Sequence, residues 1–164
     1  MTTKTLKDLF IHSLSDIYSA EKQMTKSLPR MARASTSSGL RSAFEQHLEE
    51  TQGQIERIDQ IVGTMGIKLK RIKCVAMEGL VEEGQEQIDE IEKGPVLDTA
   101  LIAAAQKVEH YEIASYGSLI ALANQLGETA AVKLLGDTLK EEKATDEKLS
   151  LLAEEKVAAE ALGK

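Results

Sequence analysis

The sequence has few of the residues that build sheets or covalent cross-links. Tryptophan is absent, and phenylalanine, tyrosine and proline occur only two, three and two times in 164 residues. The single cysteine, Cys74, excludes a disulfide within the chain and a zinc site built from two or four cysteines. Because aromatics are scarce while alanine, leucine, glutamate and lysine are abundant, the composition favours helices over a β-sandwich or barrel.

An excess of positive charge and long apolar runs are also missing. Lysine and arginine total 20 against 27 acidic residues, which gives a net charge of −7, so we expect no nucleic-acid partner. The best apolar run, residues 100–105, is much shorter than the roughly 20 residues that cross a bilayer, so we expect no membrane partner. The first residues lack the apolar core of a signal peptide, and we therefore expect a cytoplasmic protein.

What the sequence does contain is the hydrophobic period of helices. Apolar residues recur at steps of three, four and seven, which predicts four long helices and a shorter one. The long helices are predicted at about residues 5–34, 40–62, 96–126 and 129–159, and the short one at about 75–91. Pro29 lies inside the first helix, where we expect a kink or an early end.

The lengths of the connections predict how the helices are arranged. A short turn joins the first long helix to the second, and another joins the third to the fourth, so each pair is expected to be an antiparallel hairpin. We therefore predict one all-α domain over residues 1–164, a ferritin-like four-helix bundle. Its two antiparallel hairpins would be joined by a long crossover containing the short helix. An up-down-up-down bundle with an inserted helix is the competing topology.

Each long helix has an acidic residue on or at the edge of the stripe that should be buried: Glu21, Glu112 and Glu142 on their stripes and Glu50 at the edge of its own. A buried carboxylate without a partner costs several kcal/mol, so four of them need a reason. At 1.5 Å per residue, the first pair lies about 20 and 17 Å from its turn, and the second pair about 21 Å from its own. The four carboxylates are therefore predicted at one level of the bundle.

Two divalent or trivalent cations between these carboxylates would remove their mutual repulsion. Oxygen ligands that face inward from four helices are typical of a di-iron or di-manganese carboxylate site. Glu109 lies one turn before Glu112 and could bridge the metals. The stripes add further candidate ligands, namely His47, Gln54 and Asp146. Tyr18, Tyr116 and His110 are candidates for orienting the ligands by hydrogen bonds.

Other interpretations of these residues stay open. Some glutamates of a Glu-rich helical chain fall at a stripe edge by chance and pair with Lys or Arg of a neighbouring helix. A lone histidine such as His47 is more often a core residue than a metal ligand. The Glu-x-x-His motif of ferritin-like di-metal sites is absent, because Gly53 and Thr145 stand three residues after Glu50 and Glu142. Gln54 and Asp146, on the same faces, could ligate instead.

Four segments carry a resemblance to a known family. They are residues 15–23 (SDIYSAEKQ), 47–54 (HLEETQGQ), 108–117 (VEHYEIASYG) and 141–149 (EEKATDEKL). With these segments the chain resembles, over essentially its whole length, the YciE/YciF-type family of bacterial ferritin-like proteins. The resemblance implies a rubrerythrin-like four-helix bundle, often a homodimer, associated with bacterial stress responses. It also implies a di-metal site at Glu21, Glu50, Glu112 and Glu142, with Glu109, Asp146, Gln54 and His47 as further members.

Two functions follow from these observations. In the leading hypothesis, the chain is a di-iron carboxylate protein, with manganese as the alternative metal, and its reduced site reacts with peroxide or oxygen as a peroxidase or ferroxidase does. The absence of a four-cysteine centre excludes a rubrerythrin-style electron relay within this chain. In the alternative, the chain is a non-catalytic helical bundle that acts as a stress-induced structural or interaction protein.

Overall fold

The computed structural model describes residues 2–154 and 161–163, and its regular elements are five α-helices. They are α1 (Leu6–Ala34), α2 (Ser38–Met65), α3 (Val75–Glu90), α4 (Pro95–Gln125) and α5 (Thr129–Leu152). No strand occurs in those two ranges. The predicted all-helical chain of four long helices and one short helix is confirmed. The predicted last turns of the fourth long helix extend to residue 159 and fall partly outside the described residues.

Local chemistry explains where the helices begin and end. The Thr5 hydroxyl accepts a hydrogen bond from the Asp8 backbone amide at 3.0 Å, and the Asp8 carboxylate accepts one from the Thr5 amide at 3.0 Å. This reciprocal pair is a capping box, which starts α1. Helix α2 ends at Gly66, whose φ of 61° is the left-handed conformation that glycine tolerates best.

Helix α1 does not end at Pro29. The early end that was one of the two expectations for this proline is therefore wrong. The helix continues for a further turn to Ala34. Proline removes one backbone hydrogen bond from a helix interior. Buried apolar side chains beyond the proline, including Met31 and Ala32, offset this loss by packing into the core.

The four long helices pack around one core. Helix α1 packs against α2 and α4, and α5 packs against α4 and α2, while α3 covers α1 and α4. Each long helix therefore contacts two others, so one face of each points to the interior. Within the described residues, no helix carries an apolar stretch long enough to cross a membrane.

A buried aspartate ties the first turn of α4 to the connection between α1 and α2. The Asp98 carboxylate accepts hydrogen bonds from the Thr36 backbone amide at 2.8 Å, the Thr36 hydroxyl at 2.6 Å and the Ser37 amide at 2.8 Å. Ser37 is also the N-cap of α2. The carboxylate thus fixes where the α1–α2 turn sits on α4.

Candidate metal centre

Three helices bring four polar side chains together in the interior. His47 comes from α2, Glu109 and Glu112 from α4, and Glu142 from α5, and one ligand atom of each lies within 4.8 Å of those of the others. Glu109 and Glu112 share a face of α4 because they are three residues apart. All four residues are at most 2% exposed. We call these four residues the His/Glu cluster.

Helix α1 contributes a fifth buried acid beside the His/Glu cluster. Glu21 is fully buried, and the Tyr116 hydroxyl donates a hydrogen bond to its Oε1 at 3.1 Å. Tyr116 reaches Glu21 because it lies one turn after Glu112 on the same face of α4. Burial, together with the neighbouring carboxylates, raises the pKa of Tyr116 well above its usual value. The tyrosine therefore stays protonated and remains a hydrogen-bond donor.

The atoms of the His/Glu cluster have no hydrogen-bond partners. His47 Nε2 lies 3.0 Å from Glu109 Oε1 and 3.9 Å from Glu142 Oε2, but neither contact has hydrogen-bond geometry. Both nitrogens of His47 and both carboxylate oxygens of Glu109, Glu112 and Glu142 are buried and unpartnered. Native proteins leave few buried polar atoms in this state, and each such atom calls for an explanation.

These orphaned atoms are concentrated in one place. Within residues 2–154 and 161–163, the unpartnered buried side-chain atoms outside the His/Glu cluster are Glu21 Oε2, Gln54 Oε1, Asp146 Oδ1 and Gln87 Oε1. The first three belong to residues that the sequence assigned to the metal site. Eight of these twelve unpartnered atoms therefore belong to the four residues of the His/Glu cluster.

Proton equilibria in the cluster follow from burial. Burial raises the pKa of Glu21, Glu109 and Glu112 well above their usual value, and the charge of Glu142 raises them further. Burial acts on Glu142 in the same direction, but the nearby carboxyl groups of Glu109 and Glu112 and the ring of His47 outweigh it and lower its pKa. Burial also lowers the pKa of His47. Without a cation, the group therefore holds protons in place of several separate charges.

Two predicted ligands lie at the edge of this group. Glu50 is half-buried, and its carboxylate accepts hydrogen bonds from Gln46 Nε2 at 3.1 Å and from Thr145 Oγ1 at 3.2 Å. Asp146 is 22% exposed, and its Oδ1 lies 3.4 Å from Nε2 of His110, whose ring is 70% exposed. Both oxygens of Glu50 thus accept a hydrogen bond, whereas Asp146 Oδ1 has the ion-pair contact with His110 but no hydrogen bond.

Two further predicted residues have partners elsewhere. Gln54 is fully buried, and its amide donates to Glu141 Oε1 at 3.4 Å, while Glu141 also pairs with Arg57. Tyr18 is half-buried beside the connection between α2 and α3, with the Lys22 ammonium 5.3 Å from its ring centroid. No hydrogen bond joins Tyr18 to the described carboxylates.

Sequence reasoning did not identify the groups that hold Glu50. Gln46 stands four residues before Glu50, a spacing that brings two side chains together on a helix surface, so that contact had a readable signal. Thr145 carries no such signal in the sequence. Its contact with Glu50 joins α2 to α5 across 95 residues of sequence, and no local pattern reveals such a pairing.

The donor set of the His/Glu cluster fits a transition-metal ion. Imidazole nitrogen is a common ligand of iron and zinc, and carboxylate oxygen is a common ligand of manganese and other hard ions. One nitrogen with several carboxylates therefore suits iron or manganese. A cation would also give the unpartnered oxygens the positive neighbour that the protein does not supply.

Comparison with known proteins places the chain in a family. Residues 5–162 match the family described as a domain of unknown function, DUF892. Protein YciF of Escherichia coli K12 is 63% identical over 154 residues, which cover 93% of each chain. The crystal structure of that E. coli stress protein has a TM-score of 0.89 at 64% identity and covers 92% of this chain and 95% of its own.

Two other solved structures share the fold. YcfI of Rhodopseudomonas palustris has a TM-score of 0.87 at 48% identity, covering 90% of this chain and 94% of its own. A protein of Xanthomonas campestris pv. campestris has a TM-score of 0.76 at 23% identity, covering 96% and 97%, a likeness of fold alone. The family match, the identity to YciF and the segments that resemble the YciE/YciF type agree, and the chain belongs to the DUF892 family of YciF-type proteins.

Proposed function

We propose that this chain is a di-metal carboxylate protein of the bacterial stress response, with iron as the favoured metal and manganese as the alternative. The observation that carries the proposal is the His/Glu cluster, whose buried nitrogens and oxygens have no hydrogen-bond partners. Several unpaired carboxyl groups within one core are too costly to be explained by packing alone. The relative YciF is described as a stress protein, which supports the physiological part of the proposal.

His47, Glu109, Glu112 and Glu142 would hold metal together, because one ligand atom of each lies within 4.8 Å of the others. Glu21 would be a further ligand, since it is fully buried and its Oε2 has no hydrogen-bond partner. Gln54 and Asp146 would complete the edge of the site with their unpartnered oxygens.

The two metal ions, when bound, would supply redox chemistry toward peroxide or oxygen, of the peroxidase or ferroxidase type. The protein's own residues would do the rest. The burial of the carboxylates excludes bulk water. Because their pKa values are raised, Glu21, Glu109 and Glu112 hold protons that they would release if metal bound. Tyr116 would hold the Glu21 carboxylate in place through its hydroxyl.

The architecture and assembly belong to the same proposal. We propose the ferritin-like arrangement of two antiparallel hairpins, α1–α2 and α4–α5, with the long crossover carrying α3. The contacts of α1 with α2, of α4 with α5 and of α3 with α1 and α4 support this arrangement. A cytoplasmic homodimer completes the proposal, and solution mass is its direct test.

Metal analysis tests the central claim. Protein stripped with a chelator is titrated anaerobically with Fe²⁺ and, separately, with Mn²⁺, and the bound ions per chain are counted after gel filtration. We expect two ions per chain in the wild type and a loss of at least one in Glu142→Gln. The matched control is Glu147→Gln, an exposed acid of the same helix, which should bind as the wild type does.

Two results would contradict the proposal. One is a wild-type chain that retains no ion, and the other is an equal ion content in the Glu142 and Glu147 variants. Peroxide added to the iron-loaded protein tests the reaction separately. We expect a change in ultraviolet–visible absorbance that depends on both iron and peroxide and is lost in Glu142→Gln.

A further inference from the structure

A small pocket between α2 and α5 is lined by His47, one member of the His/Glu cluster. Its volume is about 100 Å³, which accommodates on the order of three water molecules. The side chains that line it include Gln46, His47 and Glu50 from α2, and Ala144, Thr145 and Lys148 from α5. Gln46, Ala144 and Lys148 are exposed, so this end of the pocket faces solvent.

The inner end of the pocket is a member of the cluster. His47 lines the pocket although only 2% of its surface is exposed, and its two ring nitrogens have no hydrogen-bond partner. The same ring lies 3.0 Å from Glu109 and 3.9 Å from Glu142. A ligand in the pocket is therefore separated from the carboxylates by one imidazole.

Glu50 is half-buried and lines the same pocket as this imidazole. Its carboxylate is held by two neutral donors, Gln46 Nε2 and Thr145 Oγ1, at 3.1 and 3.2 Å. Hydrogen bonds of this kind contribute only about 1 kcal/mol each, so the side chain can leave them for a cation. Its negative charge already acts on His47, since it opposes the effect of burial on the pKa of that ring.

We propose that this pocket is the entry port for divalent cations, and that Glu50 binds the incoming ion transiently before His47 and Glu142 take it. This inference rests on the proposed metal site, because a port requires a destination. A hydrated ion cannot pass through the apolar layers of the core, whereas a carboxylate on the path can replace part of its water shell. Transient binding of the incoming cation would explain why Glu50 is half-buried outside the His/Glu cluster.

Two charged residues of the pocket, Glu50 and Lys148, should have opposite effects on the rate at which a cation enters. Lys148 donates to Gln46 Oε1 at 3.0 Å and places a positive charge beside the negative Glu50. If a cation enters here, Glu50 accelerates its passage and Lys148 slows it. A neutral oxidant such as peroxide would respond to neither charge.

The experiment measures how fast the metal enters. Chelator-stripped full-length protein is mixed with excess Co²⁺ in a stopped-flow instrument, and the visible absorption bands of bound cobalt are followed. We expect Glu50→Gln to slow loading by roughly tenfold and Lys148→Gln to accelerate it, both effects shrinking at high salt. The matched control is Glu49→Gln, which neutralises the adjacent exposed residue that does not line the pocket and should load at the wild-type rate.

A steric variant tests the path independently of charge. Ala144→Leu adds volume at an exposed helical position where leucine is well tolerated, so the fold should be retained. The added side chain should obstruct the pocket and slow loading, while the number of Co²⁺ ions bound at equilibrium stays the same.

Three outcomes would decide against the port, each for a distinct reason. Wild-type loading rates in both Glu50→Gln and Ala144→Leu would overturn the pocket as the route. Loss of a bound ion at equilibrium in Glu50→Gln would make Glu50 a resident ligand and overturn its transient role. A wild-type chain that binds no Co²⁺, Fe²⁺ or Mn²⁺ would refute the proposed function, and the port with it.

Discussion

Two of the three fully buried carboxylates of helix α4, Asp98 and Glu112, have opposite surroundings. Asp98 and Glu112 are both 0% exposed and stand about 21 Å apart along the helix. Asp98 accepts three hydrogen bonds of 2.6 to 2.8 Å from the turn between α1 and α2. Both oxygens of Glu112 have no partner. Burial alone therefore does not distinguish a structural acid from a ligand, but the supply of donors does.

The neighbours of each acid explain the difference. Asp98 faces backbone amides at the N-terminus of α2, where the helix dipole and the free amides favour a negative charge. Glu112 faces Glu21, Glu109 and Glu142, whose charges oppose its ionisation, so burial and these neighbours raise its pKa. The protein supplies the hydrogen-bond donors that Asp98 needs, whereas Glu112 needs a proton or a cation.

The largest effect expected from this comparison is stabilisation by metal. At a free-ion concentration about a thousand times Kd, one bound ion adds about 4 kcal/mol, which is on the order of 10 °C in Tm for a chain of this size. The wild type and Asp98→Asn should gain this increment in Fe²⁺ or Mn²⁺, and Glu112→Gln should lose most of it. Differential scanning calorimetry with and without chelator measures the increments. Equal increments in the two variants would remove the distinction between the acids.

The second largest effect should be the loss of stability when the Asp98 carboxylate is removed. Asp98→Ala leaves the amides of Thr36 and Ser37 without acceptors in a buried turn, and we expect a loss of about 3 kcal/mol in the free energy of unfolding. Urea denaturation of chelator-treated protein measures it. Asp98→Asn, which keeps one acceptor oxygen, should lose less. A change below about 0.5 kcal/mol in Asp98→Ala would show that the turn does not depend on this carboxylate.

Replacing the unpartnered carboxylate of Glu112 should raise the free energy of unfolding rather than lower it. Glu112→Met replaces a buried acid by an apolar side chain of similar length, and we expect the metal-free protein to gain about 1 to 2 kcal/mol. The same variant should bind fewer ions, so stability and metal binding would change with opposite sign. Urea denaturation and metal counting on one preparation measure both. A destabilised metal-free variant would indicate that Glu112 supports the fold as Asp98 does.

The part of this comparison that could be predicted from the sequence is the part that depends on periodicity. Glu21, Glu112 and Glu142 fall on apolar stripes at similar distances from their turns, and helix geometry alone places them in one layer of the interior. Asp98 was not predicted, because its partners Thr36 and Ser37 lie more than sixty residues away. Locally, an acid in the first turn of a helix is an ordinary feature.

The edge of the site marks where periodicity stops being informative. A stripe predicts which face of a helix a residue occupies, but it does not predict the rotamer of a long side chain at the margin of that face. Glu50 was therefore expected among the carboxylates, whereas its carboxylate is bound by Gln46 and Thr145. His47, more often a core residue when considered alone, lies against Glu109 and Glu142 because α2, α4 and α5 converge there.

The smallest expected effect is the pH dependence of the metal-free protein. A glutamate whose folded pKa is raised binds more protons in the folded state, so its contribution to stability is present below the ordinary value of 4.5 and is lost as pH rises through the folded pKa. Glu21 and Glu109 act in the same direction. The lowered pKa values of Glu142 and His47 act in the opposite direction and reduce the net slope.

The difference between the wild type and Glu112→Gln isolates one member of this group. We expect the variant to gain stability relative to the wild type as pH rises from about 5 to about 8 in chelator, because the amide has no proton to lose. Tm measured across that range gives the difference, with Asp98→Asn as the comparison on the same helix. In excess Mn²⁺ the wild type should regain its advantage as pH rises, since metal competes better against fewer protons. A difference that stays flat in chelator would assign Glu112 an ordinary pKa and remove the proton as its metal-free partner.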